Sequence, residues 1–175
     1  GAMPPAGRPV VLLQRQDHEL LDETVRAFAN LGSEKDFTKL LFHRDHSLVH
    51  VTKGLRIDVL RTAQTRELAS RAVDFRRAVA KGEPAAAPVP NALPAMVEAA
   101  GEYPGIRELV SISDVPVMRP DGSLFQTPGY DEATRVFYQP TLNFPVIPES
   151  PTPQDAFEAY QRVAVTLDDF PFAGS

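Results

Sequence analysis

Histidine side chains gather in one short stretch of this chain, and their spacing suggests chemistry. His43, His46 and His50 lie within eight residues of one another. Imidazole nitrogens at such short spacing suggest a zinc site, because they are good ligands for that ion. No carboxylate nearby occupies an obvious ligand position, so the preferred interpretation is that these histidines are solvated or hydrogen-bonded within the fold. We therefore predict no metal site.

An acidic pair offers a second candidate. Asp17-His18-Glu19 follows an apolar run, and two acidic residues at this spacing are similar to the pair with which primase-polymerases hold a divalent metal ion. The structural alternative is that Asp17 caps a helix and that the helix dipole stabilises Glu19 in its first turn. No residue is assigned to catalysis, and an unrecognised or degenerate primase-polymerase stays open as an alternative.

Basic residues offer the third candidate, a contact with DNA. Residues 1–88 carry 14 Lys and Arg against 11 Asp and Glu, whereas residues 89–175 carry 4 against 12. A polyanion would therefore contact mainly the first half. Arg119 and Arg135 accompany Tyr130, a ring on which a base could stack. The candidate DNA contacts are Arg44, Lys53, Arg56, Arg61, Arg66, Arg77, Arg119, Tyr130 and Arg135.

The Gly129-Tyr130-Asp131 motif also has a structural interpretation, which we prefer. Gly129 supplies a backbone conformation that other residues resist, and Tyr130 buries its ring with the hydroxyl hydrogen-bonded. Asp131 caps or turns the segment that ends at Thr134.

Composition limits the function classes. The chain has 175 residues, 43% of them hydrophobic, and a formal net charge of -5, which suits one domain or two small ones. The absence of Cys excludes disulfides, thiolate metal sites and a Cys nucleophile. No Gly-x-x-x-x-Gly-Lys loop is present to bind ATP, so no cofactor is expected for this segment. The apolar runs are too short for a membrane span, and we expect a cytoplasmic protein without a membrane partner.

Hydrophobic periodicity predicts an α+β fold with small antiparallel sheets and packed helices, divisible into two subdomains. Two predicted helices follow N-caps at Asp17 and Asn91, and the other two begin at about Thr65 and at Pro153. The predicted strands are Val10–Leu13, Phe37–His43, Ser47–Thr52, Leu55–Leu60, Leu109–Ile112, Val115–Met118, Leu124–Phe125 and Thr134–Gln139. The strands after residue 108 suggest an antiparallel meander.

One helix prediction has an alternative. Leu68, Phe75 and Val79 fit a helix from about Thr65 to Lys81, which would align Arg66, Arg77 and Lys81 in a cationic strip that is more often a solvated face. A strand over Val73–Val79 is the alternative.

Prolines mark the predicted domain boundary. None lies between Val10 and Glu83, and residues 84–92 are rich in Pro and Ala, which suggests an exposed connection. Residues 1–3 are typical of the remnant of a cleaved tag, so we predict an α+β subdomain with a hairpin over residues 4–83. Residues 93–175 would hold a β-meander and a C-terminal helix.

The last helix has the clearest signals. Thr152 is the expected N-cap, Pro153 the first helical residue and Asp155 the partner in a capping box. Ala156, Tyr160, Val163 and Leu167 form a stripe, and we expect that stripe to pack on the body of the domain. Phe170 and Phe172 are expected to contact a module that follows.

Several segments, taken in order, resemble the region that precedes the ATPase in large primase-helicase-like proteins of phages and integrated mobile elements. The segments that carry the resemblance are Leu41-Phe42-His43-Arg44, Leu48-Val49-His50-Val51, Leu93-Pro94-Ala95-Met96, Val115–Leu124, Gly129-Tyr130-Asp131, Thr134-Arg135 and Asp169-Phe170-Pro171-Phe172.

The resemblance implies a context in mobile-element DNA replication. We expect a non-catalytic accessory domain of a helicase or primase-helicase that engages DNA or positions modules. A downstream ATP-dependent helicase module in the same chain would carry ATP and Mg²⁺. A protein-interaction or homo-oligomerisation module is the third alternative.

Overall fold

The computed structural model describes residues 7–31, 41–52 and 54–168. The helices in this part of the chain are α1 (Asp17–Leu31), α2 (Thr62–Ala72), α3 (Leu93–Ala100) and α4 (Pro153–Asp168). The strands there are β1 (Val10–Leu12), β2 (Leu41–Arg44), β3 (Ser47–Val51), β4 (Ile57–Val59), β5 (Asp74–Arg77), β6 (Ala85–Ala86), β7 (Arg107–Glu108), β8 (Ser111–Ser113), β9 (Val117–Met118), β10 (Leu124–Phe125), β11 (Gly129–Asp131) and β12 (Val136–Tyr138). The predicted α+β class is confirmed. None of the helices in the described ranges is long and apolar enough to cross a membrane.

The hairpin of β2 and β3 forms as the sequence predicts, although residues 37–40 of its first predicted strand lie outside the described residues. Asp45 and His46 make the two-residue turn, with φ of 47° and 61°. Two-residue hairpin turns of this kind need positive φ at both positions, and Asp accepts that conformation more readily than most residues. The turn therefore forms without glycine.

Strand alternation puts two different apolar surfaces on the two faces of the sheet ordered β4-β3-β2-β7. Leu41 and Leu48 on one face belong to the core formed with helices α1, α2 and α3. Phe42 and Val49 on the other face belong to a second core with Phe137 of β12. This division follows from the alternation of side chains along each strand, and this sheet is the layer between the two cores.

Residues 65–81 correct a sequence prediction. Helix α2 begins at Thr62 and ends at Ala72, and the alternative strand is confirmed as β5. β5 pairs in parallel with β1, with Phe75 opposite Val11, and both of these side chains are buried. A spacing of three and four residues cannot by itself exclude a strand when a buried partner strand is available. The predicted cationic strip is therefore not one helical face.

The predicted connection over residues 84–92 is partly built into the fold. Ala85–Ala86 pairs with β5 as strand β6, and Val89 is buried in the same core as Leu93 and Val97 of α3. Helix α3 therefore packs with the elements that precede the connection. The helix ends at Ala100, and Gly101 caps it in the left-handed conformation at φ 70°.

The strands after residue 106 do not form a simple antiparallel meander. β9 and β10 are antiparallel as predicted. β11, which the sequence analysis did not predict as a strand, pairs with β12 in an antiparallel arrangement, whereas β8 pairs with β12 in parallel and β7 pairs with β2 in parallel. Strands of two or three residues carry no periodic signal that would indicate the direction of a partner. The parallel pairs were therefore missed.

Helix α4 overturns the expectation that its stripe packs on the body. Tyr160 is 68% exposed, Val163 58% and Leu167 46%. The N-terminal signals are nevertheless correct, because Thr152 and Asp155 exchange the hydrogen bonds of a capping box: Thr152 N–H donates to Asp155 Oδ2 at 2.8 Å, and Asp155 N–H donates to Thr152 Oγ1 at 3.2 Å. The hydrogen bonds from Thr152 hold the pKa of Asp155 below its usual range.

Candidate functional site

The candidate DNA contacts divide into two groups in the structure. Arg66, Arg119 and Tyr130 are half-buried and bonded to distant segments, and Arg135 is exposed but paired with the distant Glu108. The side chains of Arg44, Arg56, Arg61 and Arg77 are exposed. Lys53 lies outside the described residues.

Arg66 connects α2 to the segment that precedes α3. Its guanidinium donates to Asn91 Oδ1 at 3.2 Å and to the carbonyl oxygen of Val89 at 3.0 Å. Asn91, the predicted cap of α3, is thus an acceptor for Arg66, and the residue before the helix is Ala92. These hydrogen bonds give Arg66 a structural role at the surface of the core that contains helices α1, α2 and α3.

Arg119 and Asp131 form the most buried ion pair in the described ranges that involves a candidate residue. Arg119 Nη2 and Nε donate to Asp131 Oδ1 at 2.6 and 3.0 Å. The second carboxylate oxygen accepts from Thr134 N–H at 3.0 Å and from its hydroxyl at 2.8 Å. The bond from Arg119 is the main cause that lowers the pKa of Asp131. Both oxygens of a buried carboxylate are therefore satisfied, as the structural interpretation of Asp131 predicted.

Arg119 also lies over an aromatic ring. Its guanidinium carbon is 5.3 Å from the ring centre of Phe125, within the range of a cation–π contact. The bond to Asp131 raises the pKa of Arg119. Arg119 thus links the β9–β10 hairpin to β11.

Tyr130 has the structural role that the preferred interpretation gave it. Its hydroxyl donates to the carbonyl oxygen of Glu108 at 2.6 Å, and its ring centre is 5.3 Å from that of Phe42. The guanidinium of Arg107 lies 5.0 Å from the Tyr130 ring centre. Burial raises the pKa of the Tyr130 hydroxyl. Gly129 before it has φ 139°, the positive value that the sequence predicted.

Arg135 belongs to the turn between β11 and β12. Its backbone has φ 54° and its N–H donates to the carbonyl oxygen of Asp131 at 2.7 Å. Its guanidinium forms an ion pair with Glu108. Because the left-handed conformation costs free energy in a residue other than glycine, the turn has to be held by its hydrogen bonds.

The strand register places two of the surface arginines at one end of the central sheet. Arg44 is opposite Ser47, and Leu60 N–H donates to the carbonyl oxygen of Leu48, so Arg61 follows beside the same end of β3. Neighbouring strands are about 4.8 Å apart, which separates the two backbones by about 10 Å. Arg44 also contacts Asp45, with Nε 3.4 Å from Oδ2. We call Arg44 and Arg61 the hairpin-end pair.

The other surface arginines lie elsewhere. Arg56 precedes β4, which pairs with β3 through Ile57 and Val51 at the opposite end of the sheet. Arg77 is the last residue of β5, in another sheet. The topology therefore does not bring all the surface arginines into one continuous patch.

The histidines do not converge on a metal site. His46 Nδ1–H donates to the carbonyl oxygen of Gly101 at 3.1 Å, which fastens the hairpin turn to the end of α3. The ring of His43 is 6.3 Å, centre to centre, from that of Tyr103. Within the described ranges no group of three His, Asp or Glu side chains is placed to hold a metal ion.

The acidic pair takes positions at the start of α1 that differ from the prediction. Asp17 is the first helical residue, not the cap. Glu19 Oε2 accepts a hydrogen bond from Gln16 N–H at 3.0 Å. The carboxylate that bonds a free backbone N–H at the start of α1 therefore belongs to Glu19, not to Asp17. This contact is the return half of a capping box.

The feature that sequence reasoning missed is the exposed apolar face of α4. All described side chains of α4 are exposed except those of Asp155 and Ala164, which are half-buried. Phe157, at 54% exposed, widens the stripe of Tyr160, Val163 and Leu167. We call Ala156, Phe157, Tyr160, Val163 and Leu167 the α4 face.

A signal for this exposure is present in the preceding segment. Residues 139–152, which we call the spacer, contain Pro140, Pro145, Pro148 and Pro151 and form no helix or strand. Closely spaced prolines favour an extended and semi-rigid chain. The Gln126 side chain fixes the spacer, because its amide nitrogen donates to the carbonyl oxygen of Ile147 at 2.7 Å and its amide oxygen accepts from Ile147 N–H at 2.9 Å.

Comparisons of this chain with protein-family models, with curated proteins and with solved structures found no match.

Proposed function

We propose that this chain is a non-catalytic accessory domain of a mobile-element DNA replication protein, a helicase or primase-helicase, in which it holds protein modules in position. The α4 face carries the positioning part of the proposal. A helix of this length gains most of its stability from covering an apolar face, and α4 leaves that face exposed at the end of the spacer. The replication context and a cytoplasmic location rest on the sequence resemblance and on composition.

The full gene product tests this proposal. We expect the gene to encode a P-loop ATPase module, and Val163→Glu in the full protein to reduce ATP-dependent DNA unwinding. Val165→Glu is the matched control, because Val165 is 66% exposed and lies on the opposite side of α4. A gene without an ATPase module, or equal unwinding by both variants and the wild type, would contradict the proposal.

Contact with DNA is the second candidate, and the hairpin-end pair favours it. Arg44 and Arg61 flank one end of β3, and arginine side chains that extend from one end of a sheet can contact neighbouring phosphates. Few phosphates would be neutralised, so the binding should be weak and should depend on salt.

Fluorescence anisotropy with a labelled single strand and a labelled duplex at low salt tests the second candidate. Combined Arg44→Glu and Arg61→Glu should lower the slope of log affinity against log salt by about 2, because each lost phosphate contact contributes about one unit. Combined Arg56→Glu and Arg77→Glu changes the net charge equally at sites away from the pair. Equal losses in the two double variants would indicate a general charge effect and would exclude a site at the hairpin end.

A further inference from the structure

The residues of α4 are arranged as in a helix that packs against another helix. Ala156, Tyr160, Val163 and Leu167 recur at intervals of four, three and four residues, the spacing of the contact positions in a coiled coil. Small residues, Ala159 and Ala164, flank this line. The described charged side chains of α4, Asp155, Glu158 and Arg162, fall on the opposite half of the helix at about 100° per residue.

The spacer limits which surface can cover the α4 face. Gln126 fixes Ile147 through two hydrogen bonds, and Pro148 and Pro151 stiffen the few residues that remain before α4 begins. The face is exposed although the rest of the described chain buries two cores. Among the described residues, none covers this face, and we infer that a surface from another molecule or module covers it.

We propose that the α4 face packs against the same face of α4 in a second copy of this chain, with the two helices antiparallel. This proposal rests on the proposed function, in which α4 is the contact surface. It adds that the partner on that surface is a second copy of the chain. A twofold interface requires one patch that complements itself.

Two observations favour a second copy over a partner of different chemistry. The first concerns charge: with Asp155, Glu158 and Arg162 on the far half, two copies can approach without bringing these charges together. The second concerns volume: in the antiparallel register the large Leu167 lies opposite the small Ala156, and Tyr160 lies opposite Val163, which fills space more evenly than Tyr160 against Tyr160.

The size of the interface indicates weak association. A helix of 16 residues is about 24 Å long, which is too short to bury the roughly 800 Å² per partner of a standard stable complex. We therefore expect a reversible dimer that forms at tens to hundreds of micromolar protein. Local concentration within a larger assembly would strengthen the contact.

Sedimentation velocity from about 10 µM to 1 mM protein tests self-association in this range. The wild-type chain should shift from monomer to dimer, Val163→Glu should stay monomeric, and Val165→Glu should follow the wild type. Because the α4 face is exposed, both variants should melt at the wild-type temperature, which shows that the body is folded. A monomeric wild type, or a dimer that Val163→Glu does not weaken, would overturn the proposal.

Cysteine crosslinking tests the orientation, since the chain has no native Cys. A mixture of Ala156→Cys and Leu167→Cys chains should form a mixed disulfide under mild oxidation. A disulfide between two Ala156→Cys chains would instead indicate parallel helices and would overturn the antiparallel arrangement.

The outcome also separates the two proposals. If the isolated chain is monomeric but Val163→Glu still reduces unwinding by the full gene product, the positioning function stands and its partner is another module. If the chain dimerises but unwinding does not depend on Val163, self-association stands and the positioning function is contradicted.

Discussion

The body of the molecule, residues 7–138, and the arm, residues 139–168, use the same residue types in opposite ways. In the body, Tyr130 and Arg119 resemble binding residues in sequence, yet both are bonded within the fold. In the arm, Tyr160 and Leu167 resemble core residues in sequence, yet both are exposed. A residue's role therefore depends on whether a partner surface is within reach of its backbone. Matched substitutions in the body and in the arm measure how much each side chain contributes to stability.

The largest difference should come from removing a phenylalanine ring. Phe42 is fully buried between Tyr130 and Phe137, and Phe42→Ala should lower the free energy of unfolding by about 3–5 kcal/mol. Phe157→Ala in the arm removes the same atoms from an exposed site and should change the free energy of unfolding by less than about 0.5 kcal/mol. Urea unfolding followed by circular dichroism measures both. Similar losses would show that the arm is part of the cooperative unit.

The next effect concerns the buried carboxylate of the body. Asp131→Asn removes the negative charge that accepts from Arg119 and replaces one acceptor oxygen by an NH2 group, so that one of the surrounding donors loses its acceptor. This change should lower the free energy of unfolding by roughly 1–3 kcal/mol. Asp114 is exposed, so Asp114→Asn is the control and should be close to neutral. If Asp131→Asn is equally neutral, the ion pair contributes nothing measurable to the body.

The same carboxylate predicts a pH dependence. Because the bond from Arg119 lowers the pKa of Asp131 in the folded state, its contribution is fully present above the ordinary aspartate pKa of about 4 and is lost as the pH falls through the folded value. The stability difference between the wild type and Asp131→Asn should therefore stay constant near neutral pH and narrow in acid. A difference that grows in acid would contradict this sign.

A smaller effect is expected for one hydroxyl group. Tyr130→Phe removes the hydrogen bond to the Glu108 carbonyl oxygen, and we expect a loss of about 0.5–1.5 kcal/mol. Tyr160→Phe removes an exposed hydroxyl from the arm and should leave the unfolding curve unchanged. Chemical denaturation of the two variants in parallel compares their free energies of unfolding. An unchanged free energy of unfolding in Tyr130→Phe would show that water replaces the lost hydrogen bond without cost.

The smallest effect tests the corrected position of α4. Tyr160→Ala in the dilute chain should change the unfolding free energy by less than about 0.5 kcal/mol, because the ring is already 68% exposed. The measurement is thermal unfolding at a few micromolar, below the expected range of self-association. A loss of several kcal/mol would show that the stripe packs on the body, as the sequence alone suggested.

Part of the candidate site could be predicted from the sequence. The structural interpretation of Gly129-Tyr130-Asp131 is confirmed in its backbone and hydrogen-bonding parts, while the ring of Tyr130 is half-buried. It was predictable because a glycine, an aromatic ring and a capping carboxylate each have one dominant local use. The tasks of Arg66 and Arg135 were not predicted. Their partners, Val89 and Glu108, are brought near only by the packing of distant segments.

Local features of the fold follow from the amino-acid sequence alone. The turn at Asp45 and His46, the faces of β2 and β3 and the capping box of α4 depend on residues a few positions apart, so local propensity and alternation are sufficient to specify them.

Other features depend on partners that are distant in the sequence and therefore form only when the chain is packed. Residues 74–77 are a strand because β1, far earlier in the chain, offers a parallel edge. β7 and β8 likewise pair in parallel with strands to which no short turn connects them. The stripe of α4 is exposed because the spacer provides no surface against it, and an amphipathic pattern specifies which face must be covered without specifying what covers it.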